Sequence, residues 1–247
     1  MGMKLPKENE VHVWKALVSE CTSSLSTLSQ VLSSEEVDKA ARFRRAEDRN
    51  RSIVARGVLR HLLGRYLSKA PRDLVFMVNA FGKPTLSPQS DLSLVHFNLA
   101  HSGDVVLFAV ALNCAVGVDV EMIRADLEVV NLARSHFSPE ERAALEGTPS
   151  REKTEAFFRC WTRKEACVKA WGQGLSFPLD KFSVSLGRNE VPRLTWIDAK
   201  GMPAKKWTLF HLEPEPGYLG AVAVEGPDAR LISSDWAFFP AVNSAKF

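Results

Sequence analysis

The segment FFRCWTRKEACVKAWGQGL, Phe157 to Leu175, constrains this chain most, because it places an acid, a base and apolar anchors on one helix with a defined stop. Phe157, Phe158, Trp161, Ala166 and Val168 recur at helical spacing. Gly172 follows the last periodic residue, where a left-handed C-terminal cap calls for glycine. Trp161, Glu165 and Lys169 stand at successive i, i+4 steps and share one stripe. Taken alone, Glu165 and Lys169 read as a helix salt bridge worth about 0.2 to 0.5 kcal/mol. The rest of the chain decides whether they are more than that.

With 247 residues the chain is long enough for one large domain or two small ones, and at 45% hydrophobic and 25% charged it reads as a globular protein. The N-terminal MGMKLPKENE has no apolar core of a signal peptide. The longest apolar run, Val105 to Val120, is broken by Asn113 and Asp119 and reads as two strands, not a membrane span. A cytoplasmic protein without membrane association is the expectation. Cys21, Cys114, Cys160 and Cys167 show no C-x-x-C spacing, which points to reduced thiols. The histidines form no H-x-x-x-H or H-E-x-x-H, so any metal should be held by oxygen. The net charge of +3 is unevenly spread: basic residues crowd between Lys39 and Arg65, a stripe suited to nucleic acid, an acidic protein or a phosphorylated ligand.

In chain order, a strand is expected over Val11 to Leu17, and Ser33 with Glu36 forms a capping box that starts a helix. From Asp48 to Leu67, Ile53, Val54, Val58, Leu62, Leu63 and Tyr66 share one face, predicting an amphipathic helix with a basic outer side. Leu74 to Val78 is strand-like and leads to the turn Asn79 to Pro84, where Lys83 offers a charge suited to phosphate. Two β-rich runs flank His101 to Asp104, a hairpin signal. In the next strand, Val116 to Glu121, Asp119 and Glu121 are two apart and point to one face, as solvated acids or with a cation between them. The chain then runs through Leu127 to Ala133, and Ser138, Pro139 and Glu141 open a helix. Strands are expected at Phe182 to Leu186, Leu194 to Ile197, Trp207 to Leu212 and Tyr218 to Val224, giving an α+β protein with antiparallel sheets. No repetition between the halves is evident in the sequence.

The order GKP, FNLAHS, GVDVE and W-x-x-K-E-A-x-x-K-A-x-G-x-G resembles the Sfp-like 4′-phosphopantetheinyl transferases over Ser33 to Val184. The resemblance implies two similar, pseudo-twofold halves, each a small antiparallel sheet on a long helix, divided near Asn113 to Val116 into residues 1–115 and 116–247. It implies a monomer that takes coenzyme A in the cleft and passes its phosphopantetheine to a serine of an apo carrier protein, releasing adenosine 3′,5′-bisphosphate. Asp119, Glu121 and Glu165 would hold Mg²⁺; Glu165, Lys169 and His101 would be catalytic. Lys39, Arg51, Gly82, Lys83, Pro84, Asn98, His101, Ser102 and Lys169 would contact the coenzyme. Two departures stand out. Ala100 replaces the serine that commonly precedes the family's histidine, which predicts weaker or altered coenzyme contact, and Val120 separates the two carboxylates where some relatives carry a polar residue. The competing expectations are a catalytically inactive coenzyme-binding relative and a nucleic-acid-binding module using the Arg42 to Arg65 surface.

Overall fold

The computed structural model describes residues 3–87, 94–174, 177–198 and 204–237. The chain runs through β1 (Glu10–Leu17), α1 (Leu25–Ser29), α2 (Ser34–Ala41), α3 (Ala46–Leu67), β2 (Phe76–Val78), β3 (Pro84–Leu86), β4 (Val95–Ser102), β5 (Val105–Leu112) and β6 (Val116–Met122). It continues with α4 (Val129–His136), α5 (Pro139–Gly147), α6 (Lys153–Trp171), β7 (Phe182–Val184), β8 (Leu194–Ile197), β9 (Trp207–Leu212), β10 (Tyr218–Glu225) and β11 (Arg230–Asp235). The fold is α+β: a four-stranded sheet ordered β11-β1-β5-β4, a three-stranded sheet ordered β6-β10-β9, and the ribbons β2–β3 and β7–β8.

Strand periodicity explains how these layers stack. In β5, Val106, Phe108 and Val110 meet Val54, Val58 and Leu62 of α3, while Val105, Leu107 and Ala109 face Val116, Val118 and Val222 of the second sheet. In β10, Ala221 and Ala223 turn the other way and pack with Phe157, Cys160 and Val168 of α6. The two sheets therefore share a core, and each carries one long helix on its other face.

Both long helices are anchored by the same device. The capping box of α2 pairs Ser33 with Glu36, and Glu36 also binds Arg60 Nε of α3 at 2.7 Å. The capping box of α5 pairs Ser138 with Glu141, whose two carboxylate oxygens accept from Lys164 Nζ of α6 at 2.8 and 2.7 Å. Both pairs are buried, and the separations along the chain are 24 and 23 residues. The halves thus repeat in a feature that their apolar patterns conceal.

Several expectations change in detail. Phe76–Val78 is the strand expected from Leu74, because a 3₁₀ turn at Pro71–Asp73 precedes it and the Leu74 carbonyl accepts from Arg60. The outer side of α3 is less basic than its sequence implied: Arg60 is buried on Glu36, Arg56 joins the same carboxylate at 3.1 Å, and Arg51 binds Asp48 and the Gly103 carbonyl. The strand β11 was not anticipated. It pairs parallel to β1, so the end of the chain joins the sheet that its beginning starts. Helix α6 begins at Lys153, and Leu175, the last residue of the organising segment, lies outside the described residues. Cys21, Cys160 and Cys167 are buried thiols and Cys114 is half-buried, all unbonded. No helix among the described residues is long and apolar enough to cross a membrane.

Candidate active site

Gly117, the glycine of GVDVE, sets the geometry. A side chain there would collide with the backbone of Ala166 and Ala170, so the residue type is what lets α6 lie directly against β6. That close approach brings Glu165 and Lys169 alongside Asp119 and Glu121, while Trp161 of the same stripe packs on Phe157 and His136. Gly172 closes the helix in the left-handed region at φ +69°, and its amide donates to the Val168 carbonyl.

Lys169 does not pair with Glu165 in this structure. Its Nζ reaches across to Asp119 Oδ1 at 2.6 Å, replacing the intrahelical bridge that the spacing suggested. The second oxygen, Asp119 Oδ2, and Glu165 Oε1 are buried without a hydrogen-bond partner. Glu121 Oε2 accepts from Ser102 Oγ at 2.9 Å. The Asp119 carboxyl is 4% exposed, and burial pushes it up to about 7 against the charge and hydrogen bond of Lys169; Glu121 and Glu165 add to the rise. Burial likewise raises Glu165, with Lys169 opposing and Glu121 assisting. For Lys169, burial disfavours the charge, but Asp119 and then Glu165 and Glu121 outweigh it, so the ammonium is held.

Beside this cluster lies a cavity of about 330 Å³, within the range of small-ligand pockets, whose walls include Lys39, Arg51, Gly82, Pro84, Asn98 and His101. His101 stands between the two regions. Its imidazole is shifted down, first by desolvation and then by Arg51, with Lys169 contributing, so it is neutral near pH 7. Asn98 Oδ1 accepts from the Val118 amide at 2.9 Å and ties β4 to β6.

Two residues singled out in the sequence lie away from the cavity lining. Ala100 shares the β4 face of Asn98 and Ser102, is 5% exposed, and is buried among residues shared by the two sheets; it does not line the cavity. Lys83 also stands apart, its Nζ donating to the carbonyls of Val116 and Ala170 at 3.0 and 3.3 Å.

Residues 14–113 match the family described as "4′-phosphopantetheinyl transferase, N-terminal", and residues 115–223 match the "4′-phosphopantetheinyl transferase superfamily". The chain is 36% identical over 218 residues to 4′-phosphopantetheinyl transferase HetI of Nostoc sp., covering 88% of this chain and 89% of that protein. It belongs to the 4′-phosphopantetheinyl transferase family. The family's Sfp protein of Bacillus subtilis is 32% identical over 198 residues, covering 80% of this chain and 84% of its own. Among solved structures, holo-[acyl-carrier-protein] synthase of Thermotoga maritima aligns at 20% identity with a TM-score of 0.37, over 46% of this chain and 63% of its own, a likeness too slight to bear on the fold.

In this member of the family the sequence-identified residues fall into three groups. Lys39, Arg51, Gly82, Pro84, Asn98 and His101 line the cavity. Ser102, Asp119, Glu121, Glu165 and Lys169 lie around the contact of β6 with α6. Lys83 belongs to neither wall. No three acidic, histidine or cysteine side chains among the described residues are gathered into a ligand set. Lys169 takes Asp119 in that arrangement, yet the two orphaned carboxylate oxygens and the all-oxygen donors suit a hard cation such as Mg²⁺. Sequence reasoning missed Asn79, whose Nδ2 binds the Gly172 carbonyl at 2.9 Å, and the anchoring role of Lys164. Lys164 could have been suspected from the second capping box, since Glu141 needs a buried partner.

Proposed function

We propose that this protein transfers the 4′-phosphopantetheine group of coenzyme A to a serine of an apo carrier protein and releases adenosine 3′,5′-bisphosphate. The observation that carries the reading is the pair of buried, unpartnered carboxylate oxygens on Asp119 and Glu165, beside a cavity walled by Lys39, Arg51 and Arg56 together with Glu36 and Asp48. Unsatisfied buried carboxylate is costly, and it is kept where a ligand completes it.

The cavity receives the nucleotide end of coenzyme A, with Lys39 and Arg51 meeting phosphate and Gly82 and Pro84 shaping the wall. Asp119, Glu121 and Glu165 would hold Mg²⁺, which supplies charge neutralisation at the pyrophosphate. Phosphate binding draws Lys169 away from Asp119, because the ammonium is the cation nearest the acidic cluster. Glu165 then takes the proton from the carrier serine as its oxygen attacks the β-phosphorus. The raised affinity of Glu165 for a proton suits it to that task. The bond to the bisphosphate oxygen breaks, and Lys169, still charged, stabilises the departing oxygens and returns a proton. His101 donates to the phosphoryl oxygens.

Exposed Arg42, Arg44, Arg45 and Arg49 surround the start of α3 and offer an acidic carrier a docking face. The protein works as a monomer, both halves of its site lying in one chain. The test is to incubate the protein with coenzyme A, Mg²⁺ and a panel of apo carriers and follow intact mass. A carrier gaining one phosphopantetheine is the expected result, and no gain on any carrier would reject the reading.

A further inference from the structure

The turn between β2 and β3 is built around one side chain. Asn79 Oδ1 accepts from the amides of Phe81 and Lys83, both at 2.9 Å, so the asparagine folds the turn on itself. The same side chain then donates from Nδ2 to the Gly172 carbonyl at 2.9 Å. Lys83, four residues on, donates to the carbonyls of Ala170 and Val116. These acceptors lie at the C-terminal end of α6 and the first residue of β6. Carbonyls in the last turn of a helix have no intrahelical partner and carry the negative end of its dipole, so an amide and an ammonium placed there satisfy both needs. Close packing agrees: atoms added at Gly172 would meet Asn79 Nδ2 and Lys83 Cδ, and at Gly174 they would meet Phe81.

We propose that Asn79 and Lys83 are positioning residues that clasp the coenzyme-side turn onto the end of α6, so that the wall of the cavity and the helix bearing Glu165 and Lys169 are held in one register. The turn carries Gly82 and Pro84, which line the cavity, and α6 carries the acid and the base. Lys83 acts on backbone carbonyls and not on coenzyme phosphate. Lys169 lies within one helical turn of the clasped carbonyls, so loosening the clasp moves the reacting groups before it unfolds anything.

Asn79→Asp isolates the clasp. It keeps the acceptor that folds the turn and replaces the donor to Gly172 by a carboxylate oxygen, which the carbonyl and the negative end of the α6 dipole repel. Lys83→Met removes the other arm while keeping an apolar stem. Hydrogen exchange of the α6 end, residues 169–172, is read without substrate, so it decides the clasp even if the wild-type protein transfers nothing. Exchange there should quicken about tenfold or more in both variants, with β5 and β10 unchanged. The kinetic comparison rests on the transferase reading. In it, kcat should fall about tenfold or more while KM for coenzyme A stays within about threefold. The preference for coenzyme A over its 3′-dephospho form should not change in Lys83→Met.

Unaltered exchange in Asn79→Asp would overturn the proposal, as would a loss of that preference in Lys83→Met, which would make the lysine a phosphate ligand. If Lys83→Met does not fold, Asn79→Asp decides alone.

Discussion

Helices α3 and α6 occupy equivalent places, each tied to a short neighbouring helix by a capping-box glutamate, and they put that equivalence to opposite use. After the anchor Arg60, α3 continues with His61 and Arg65, which lie against the Trp236 ring, the guanidinium 4.6 Å from its centre. After the anchor Lys164, α6 continues with Glu165 and Lys169, which face the acidic strand β6. The first pair packs on an aromatic ring, and the second faces strand β6, where carboxylate oxygens are left without a partner. Charges satisfied inside the protein are architecture; those left unsatisfied beside a cavity are where substrate belongs.

The sharpest way to break this comparison is to exchange the acid. Glu165→Gln should lower turnover by about 10² to 10⁴, the contribution of a positioned proton acceptor, with an unchanged melting temperature. His61→Gln, at the equivalent place on α3, should alter stability and leave turnover near that of the wild type. Equal kinetic losses in the two variants would erase the distinction.

Next come the anchors. Glu36→Ala and Glu141→Ala each leave a buried cation without its partner, and each should cost about 3 to 5 kcal/mol in chemical denaturation. A much smaller loss at one of them would show that the repeat is geometric without being energetic.

The pH response follows from Asp119. Its folded-state value of about 7 lies above the ordinary 3.8, so the folded protein binds the extra proton between those values. Stability of the ligand-free protein therefore falls as pH rises across that window, while binding of Mg²⁺ strengthens. Thermal melts at about pH 5 and about pH 7.5, with and without Mg²⁺, check both signs, and Asp119→Asn should flatten the ligand-free slope.

Smallest is the effect of salt. If the exposed arginines at the start of α3 receive an acidic carrier, raising ionic strength should lift KM for the carrier several-fold and leave KM for coenzyme A less affected. A salt-independent KM would return those arginines to solvent.

Much of this was legible in the sequence. Both capping boxes, the left-handed stop at Gly172, and the shared stripe of Trp161, Glu165 and Lys169 follow from local spacing, and local spacing survives folding. What could not be read depends on contacts between distant segments. The partner of Lys169 is on β6, fifty residues away, so helical spacing favoured Glu165 in its place. The arginines of α3 looked like a solvated stripe because nothing local reveals that Glu36 would draw two of them inward. Strand β11 escaped because its half-exposed RLISSD sequence shows little alternation, and its register comes from β1 at the other end of the chain. Ala100 was singled out from the family resemblance alone, and its burial between the two sheets has no local signal in the sequence.

The central claim is that the unsatisfied carboxylates beside α6 form the reaction centre. The most direct measurement is the intact mass of an apo carrier protein incubated with coenzyme A, Mg²⁺ and either wild-type protein or Glu165→Gln. The account predicts conversion to the phosphopantetheinylated carrier by the wild type and almost none by the variant, both melting at the same temperature. Comparable conversion by the two proteins would contradict it.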